Sequence, residues 1–171
     1  MPSAALEPHP ATPCAALRGM KVFIERNGAA LQLLYVLEGE LTRLRIPEPA
    51  APRAAERLWQ HTCCELFIAR AGESRYREFN FSPSGEWAAY EFGSYRERPR
   101  VLDMPPRINV RRLAQRLELE ALVSLKENGK LLIGLSSVVE EQSGALSYWA
   151  LRHAPGKPDF HHRDAFALEL E

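Results

Sequence analysis

Apolar residues along this chain recur at a period of two far more often than at a helical period, and that alternation predicts strands. Met20–Glu25 is a short β-rich run ending at the turn dipeptide Asn27-Gly28, and Leu31–Leu37 follows it as far as Glu38-Gly39. Leu41–Ile46 alternates in part, so these three runs predict a meander. Pro47, Pro49 and Pro52 then impose a loop to Arg57, because proline fixes φ and donates no hydrogen bond. Cys63–Ala69, Tyr76–Phe81 and Trp87–Phe92 predict three more strands, with turns at Ala71–Ser74 and Ser82–Gly85 between them. Within the second of these, Tyr76, Glu78 and Asn80 point one way and Arg77, Phe79 and Phe81 the other.

The second half begins with a Pro-rich irregular stretch, Arg98–Arg107. Val110, Leu113, Ala114 and Leu117 have helical spacing, so any helix is confined to Arg111–Leu117; Leu117, Leu119, Ala121, Val123 and Leu125 alternate strictly and predict a strand. Asn128-Gly129 joins that strand to Leu131–Leu135 as a hairpin. Tyr148–Arg152 and Phe166–Leu170 complete the pattern. About nine strands at near-regular spacing predict an all-β fold, an antiparallel β-sandwich of two packed sheets. Residues 1–19 are expected to form an irregular N-terminal arm, and residues 20–171 a single domain.

Composition narrows the function classes. Lys and Arg number 22, as do Asp and Glu, and no basic stripe appears, which argues against a nucleic-acid partner. No apolar run reaches the ~20 residues that a membrane helix needs. The segment Met1–Pro13 lacks the basic and apolar regions of a signal peptide, so a cytoplasmic location without membrane contact is expected. Cys14, Cys63 and Cys64 have neither disulfide nor zinc spacing. The oligomeric state is not encoded in any pattern of this kind.

Candidate chemistry is sparse. There is no phosphate loop, nucleophile elbow or Cys-x-x-Cys pair, hence no catalytic residue to nominate on motif grounds. Asp159 and His161 are the one pair with a metal-like spacing, and loop hydrogen bonding explains it more simply. Carboxylates are more telling. If Cys63–Ala69 pairs with Tyr76–Phe81, Glu65 and Glu78 share a sheet face with Asn80. That face is then a solvated surface, a hydrogen-bonding floor for a hydroxyl-rich ligand, or the carboxylate pair of a glycoside-cleaving enzyme. Flat aromatics pack on the C–H faces of sugars, and Trp59, Trp149 and Phe160 stand near strand ends and turns. Trp87 and Trp149, inside strands, also suit the core, whereas Trp59 precedes its strand and follows the Pro-rich loop.

At these residues the chain resembles a known family. Trp59 to Ile68 is similar to the Trp-x5-Glu-(Ile/Leu)-Phe-(Ile/Leu) stretch of family 9 carbohydrate-binding modules, which belong with the DOMON-like domains. Tyr76–Gly85 resembles the following strand and turn, and Trp149 with Pro158–Phe160 through Phe166–Leu168 resembles the closing segment. The resemblance spans roughly Met20 to the end of the chain and implies a jelly-roll-like β-sandwich that binds a small ligand, a carbohydrate or related polyol, without catalysis. It places the first stacking Trp on Trp59 and the hydroxyl-binding Glu on Glu65. The family's Arg falls near Asn80 and its second Trp near Phe160, both changed in type. Other DOMON domains hold haem through Met and His, which would involve Met20 or Met104 with His153 or His161; otherwise no cofactor is implied.

Overall fold

The computed structural model describes all 171 residues. Twelve strands form, with no α-helix: β1 Ser3–Pro8, β2 Leu17–Asn27, β3 Ala30–Gly39, β4 Cys63–Arg70, β5 Tyr76–Phe81, β6 Trp87–Phe92, β7 Arg100–Val101, β8 Arg107–Arg112, β9 Arg116–Ser124, β10 Leu131–Glu140, β11 Leu146–Ala150 and β12 Leu168–Leu170. All ladders between them are antiparallel. The strand order is β7-β6-β5-β4-β10-β11-β1-β2-β3-β9-β8, with β12 added on β10. No helix is long and apolar enough to cross a membrane.

Two sheets result, and β1 stitches them. Its first residues pair with β2 (Ser3 opposite Phe23, Leu6 opposite Met20), and its last two, Glu7 and Pro8, pair with β11. The inner faces meet in one core. Val22, Ile24, Leu33 and Tyr35 from one sheet pack against Leu66, Ile68, Phe79 and Leu135 from the other. The Tyr35 hydroxyl donates across this interface to the Glu65 carbonyl at 2.7 Å, so this fully buried polar group is satisfied.

Several expectations fail for identifiable reasons. The N-terminal arm is not irregular: Leu6 is buried in the core and Pro8 stands at the end of its strand, where a missing N–H costs little. Leu41–Ile46 is not a strand. A 3₁₀ turn, Leu41–Arg43, follows β3, and Leu41 and Leu44 are both buried, a spacing of three that suits such a turn better than alternation. No helix forms over Arg111–Leu117, because Arg107–Arg112 is already paired with β9 in a hairpin.

β4, β5 and β10 are buried on both faces. Cys64, Leu66 and Ile68 face the main core, while Phe67 and Ala69 join a second cluster with Tyr76, Phe92, Ala165 and Phe166. That second cluster exists because the C-terminal segment, residues 151–167, folds back over the outer face of this sheet. Gly134 lets it lie close: a Cβ there would stand 3.2 Å from Phe166 Cδ1 and 3.2 Å from Phe67 Cβ. Strand preference alone would favour Gly134→Val. Overpacking against two aromatic rings instead predicts a loss of about 1–3 kcal/mol, read as a lower urea midpoint; a raised midpoint would show that the segment yields freely.

Candidate functional site

The antiparallel register places the site's floor. Glu65 is opposite Asn80, and Phe67 is opposite Glu78, so Glu65, Phe67, Glu78 and Asn80 share the outer face of β4 and β5. Between this face and the folded-back segment lies a cavity of about 620 Å³, within the ordinary range for small-ligand sites. Trp59, Glu65, Glu78, Phe160 and His161 all line it, together with Tyr90, Phe92, Arg96, Tyr148 and Lys157.

The wall on one side begins at the Pro-rich loop. It is tied down by backbone hydrogen bonds from Ala50 N–H to Ser84 O and from Ala55 N–H to Trp87 O. It ends in a 3₁₀ turn, Leu58–Gln60, entered through Arg57 at φ 58°. Trp59 on that turn is 50% exposed. Phe160 and Tyr148 also line the cavity and pack edge-on against each other, with centroids 5.9 Å apart. The hairpin after β6 supplies Arg96, at φ 53°, with Arg98 at 52° close behind. All three non-glycine residues with positive φ thus lie in the two loops that frame the cavity, a costly backbone state that commonly marks functional sites.

The floor is an acid pair. Glu65 is 3% exposed, Glu78 5% and Asn80 fully buried. With its amide oriented by these neighbours, Asn80 donates to Glu65 Oε1 at 2.9 Å and to Glu78 Oε1 at 3.1 Å. Burial raises the Glu65 pKa well above the carboxylate range, and the adjacent Glu78 charge raises it further. Burial also lifts Glu78 to about 7, against its hydrogen bond to Glu65 and the nearby Arg96 charge. Two buried carboxyls bridged by one amide disfavour being ionised together, so the pair retains a proton near neutral pH.

A relay borders the pair. The Tyr76 hydroxyl accepts from Arg96 N–H at 3.1 Å and donates to His161 Nδ1 at 2.8 Å, which leaves the imidazole proton on Nε2, 3.5 Å from Glu78 Oε2. Burial and Arg96 depress the His161 pKa to about 4, so the ring is neutral near pH 7. Arg96 is held by Asp159 at 2.9 Å, and Asp159 also accepts from the Tyr95 hydroxyl and from His161 N–H.

Not every nominated residue belongs here. Trp149 does not reach the cavity. β11 pairs Tyr148 with Val138 and Trp149 with Ser137, so Tyr148 faces outward and Trp149 inward, where it is 3% exposed in the main core. Asn80 lies beneath the floor and donates to both carboxyls, and the guanidinium lining the cavity is that of Arg96, delivered by a loop hairpin that strand alternation does not reveal. Asp159 and His161 are committed to Arg96, Tyr95 and Tyr76 and do not converge as metal ligands. No group of three or more His, Cys, Asp or Glu is placed to hold a metal. Haem fits poorly as well: Met20 is packed in the core, Met104 contacts Arg77, and His153 is bonded to the Glu7 carbonyl.

No protein-family model and no curated protein matches the chain. Solved structures do match its fold. A Bacteroides uniformis ATCC 8492 protein with a provisional carbohydrate-binding assignment superposes with a TM-score of 0.68 at 14% identity, over 96% of this chain and 84% of that one. A family 9 carbohydrate-binding module from Caldicellulosiruptor kristjanssonii in complex with cellotriose gives 0.53 at 11% identity, covering 81% and 67%. A family 9 module of the same organism in complex with glucose gives 0.51 at 12% identity, covering 88% and 76%. The chain therefore has the antiparallel β-sandwich fold of these modules.

Proposed function

We propose that this protein is a carbohydrate-binding domain that takes a small sugar into the cavity over β4 and β5. The observation that carries the reading is the joining of a half-exposed Trp59 to a buried, hydrogen-bonding acid pair within one cavity of sugar size. An apolar sugar face would lie on Trp59, with Phe160 and Tyr148 as further apolar lining, and hydroxyls would reach Glu65, Glu78 and Arg96. Two of the fold's solved relatives are complexes with cellotriose and glucose, which supports a sugar as the ligand. Kinship with the wider DOMON-like group belongs to the same proposal. So does action in the cytoplasm, with which three unpaired cysteines agree.

Trp87 and Trp149 are buried, so Trp59 dominates any fluorescence response to ligand. Titration with monosaccharides and cello-oligosaccharides is expected to give a saturable change in tryptophan emission. Lack of any response across sugars, with calorimetry equally silent, would overturn the reading.

A further inference from the structure

The charge inventory of the cavity points to a more particular ligand. Three carboxylates in this protein are buried. One, Glu140, has His61 at 3.0 Å and Arg45 at 3.8 Å. The less buried Glu127 and Asp159 likewise have Arg77 and Arg96. Glu65 makes no ion pair at all, and the sole such neighbour of Glu78 is His161, a neutral ring. Glu65 Oε2 is moreover buried without a hydrogen-bond donor from the protein. Such a group is expensive unless something else supplies the donor.

The remaining charged and titratable groups around the pair do not fill that role. Arg96 is engaged by Asp159. Lys157 stands exposed at the mouth, solvated and without an ion pair to the floor. Burial raises the Cys63 thiol and the Tyr90 phenol, so both stay neutral. The floor is left with one negative charge, open acceptor oxygens, and walls of Trp59, Tyr90, Phe92 and Phe160, whose ring faces attract cations.

We propose that the ligand is an amino sugar whose ammonium group sits against Glu65 and Glu78 while its ring lies along the aromatic wall. This rests on the carbohydrate reading above and names the ligand class within it. An ammonium brings three N–H donors and the missing positive charge, whereas a hydroxyl brings one neutral donor. It also favours the ionised form of both carboxyls, so binding expels part of the proton they share.

Calorimetry near neutral pH with D-glucosamine, D-glucose, N-acetyl-D-glucosamine and choline tests this. Glucosamine is expected to bind roughly tenfold or more tightly than glucose or the N-acetyl sugar, equivalent to ~1.4 kcal/mol. Its apparent binding heat should change between buffers of different ionisation enthalpy, because protons are released. Glu78→Gln should remove most of the preference with circular dichroism unchanged; should that variant misfold, the proton release of the native protein and Glu65→Gln provide the same reading. Glucose bound as tightly as glucosamine, or no proton release, overturns the amino-sugar assignment and leaves the carbohydrate reading standing. Choline bound as tightly as glucosamine overturns it too, because a bare cation then suffices. Failure of every sugar to bind overturns both.

Discussion

Trp149→Ala is expected to unfold much of the protein, while Trp59→Ala leaves the fold nearly intact and abolishes ligand binding. The two residues share a side chain and differ in where the backbone puts it. Trp149 is 3% exposed within the main core, and its Nε1 donates to the Ser147 hydroxyl at 3.0 Å. Truncation opens a large cavity and strips a partner from a buried hydroxyl, a cost of about 3–5 kcal/mol. That is a large fraction of the ~5–15 kcal/mol by which domains are usually stable. Trp59 sits on a surface turn at 50% exposure, where truncation costs within roughly 0.5 kcal/mol. Urea denaturation of both variants, with a sugar titration of Trp59→Ala, reads the contrast. Loss of more than about 2 kcal/mol at Trp59 would make it a structural residue, and unchanged sugar affinity would remove it from the site.

The same contrast shows how far the sequence could be read. The floor was legible, because alternation in two neighbouring strands fixes which residues share a face, and the short turn through Gly72 made their pairing the simplest choice. That Trp59 projects from a turn and stays out of the core was legible from its place before a strand and after a stiff loop. Trp149 was misassigned by a single step of parity: Tyr148, its neighbour, points into the cavity. Nothing local reveals which parity is outward when both faces of a sheet are covered, as they are here by the segment after β11. Arg96 and His161 were beyond reach as partners of the acid pair. Both arrive from loops whose path depends on long-range contacts: Arg163 with the Glu73 and Ser74 carbonyls for His161, and the Ser74 hydroxyl with the Gly93 carbonyl for Arg96. β1 was hidden for a related reason. Its short apolar run, broken by flanking prolines, becomes a strand only because β2 and β11 each offer an edge.

The acid pair also makes stability fall with rising pH, over a window set by its neighbours. Glu65 and Glu78 both have folded pKa values above their unfolded ones, chiefly through burial. The folded protein therefore holds more protons than the unfolded chain. The stability linked to them is complete below the ordinary carboxylate range and is lost as pH rises through the folded values, about 7 for Glu78. His161 works in the opposite sense. Its pKa falls from 6.5 to about 4 on folding, so its contribution grows with pH between those values and offsets the carboxyls there. Asp159 and Glu86, whose ionised forms are held by Arg96 and Arg53, lose stability only in more acidic solution. The uncompensated fall lies above pH ~6.5, with a slope approaching 1.4 kcal/mol per pH unit for each proton that the fold retains. For a domain of this size, a loss of about 2 kcal/mol between pH ~6.5 and ~8 lowers the melting temperature by roughly 4–8 °C. Glu65→Gln keeps an acceptor for the Asn80 amide and removes the titration, so it should melt higher than the native protein at pH ~8 and show a flatter pH profile. Parallel melting profiles for the two proteins would mean that the carboxyls are solvated as the cavity breathes and that no proton is shared at the floor.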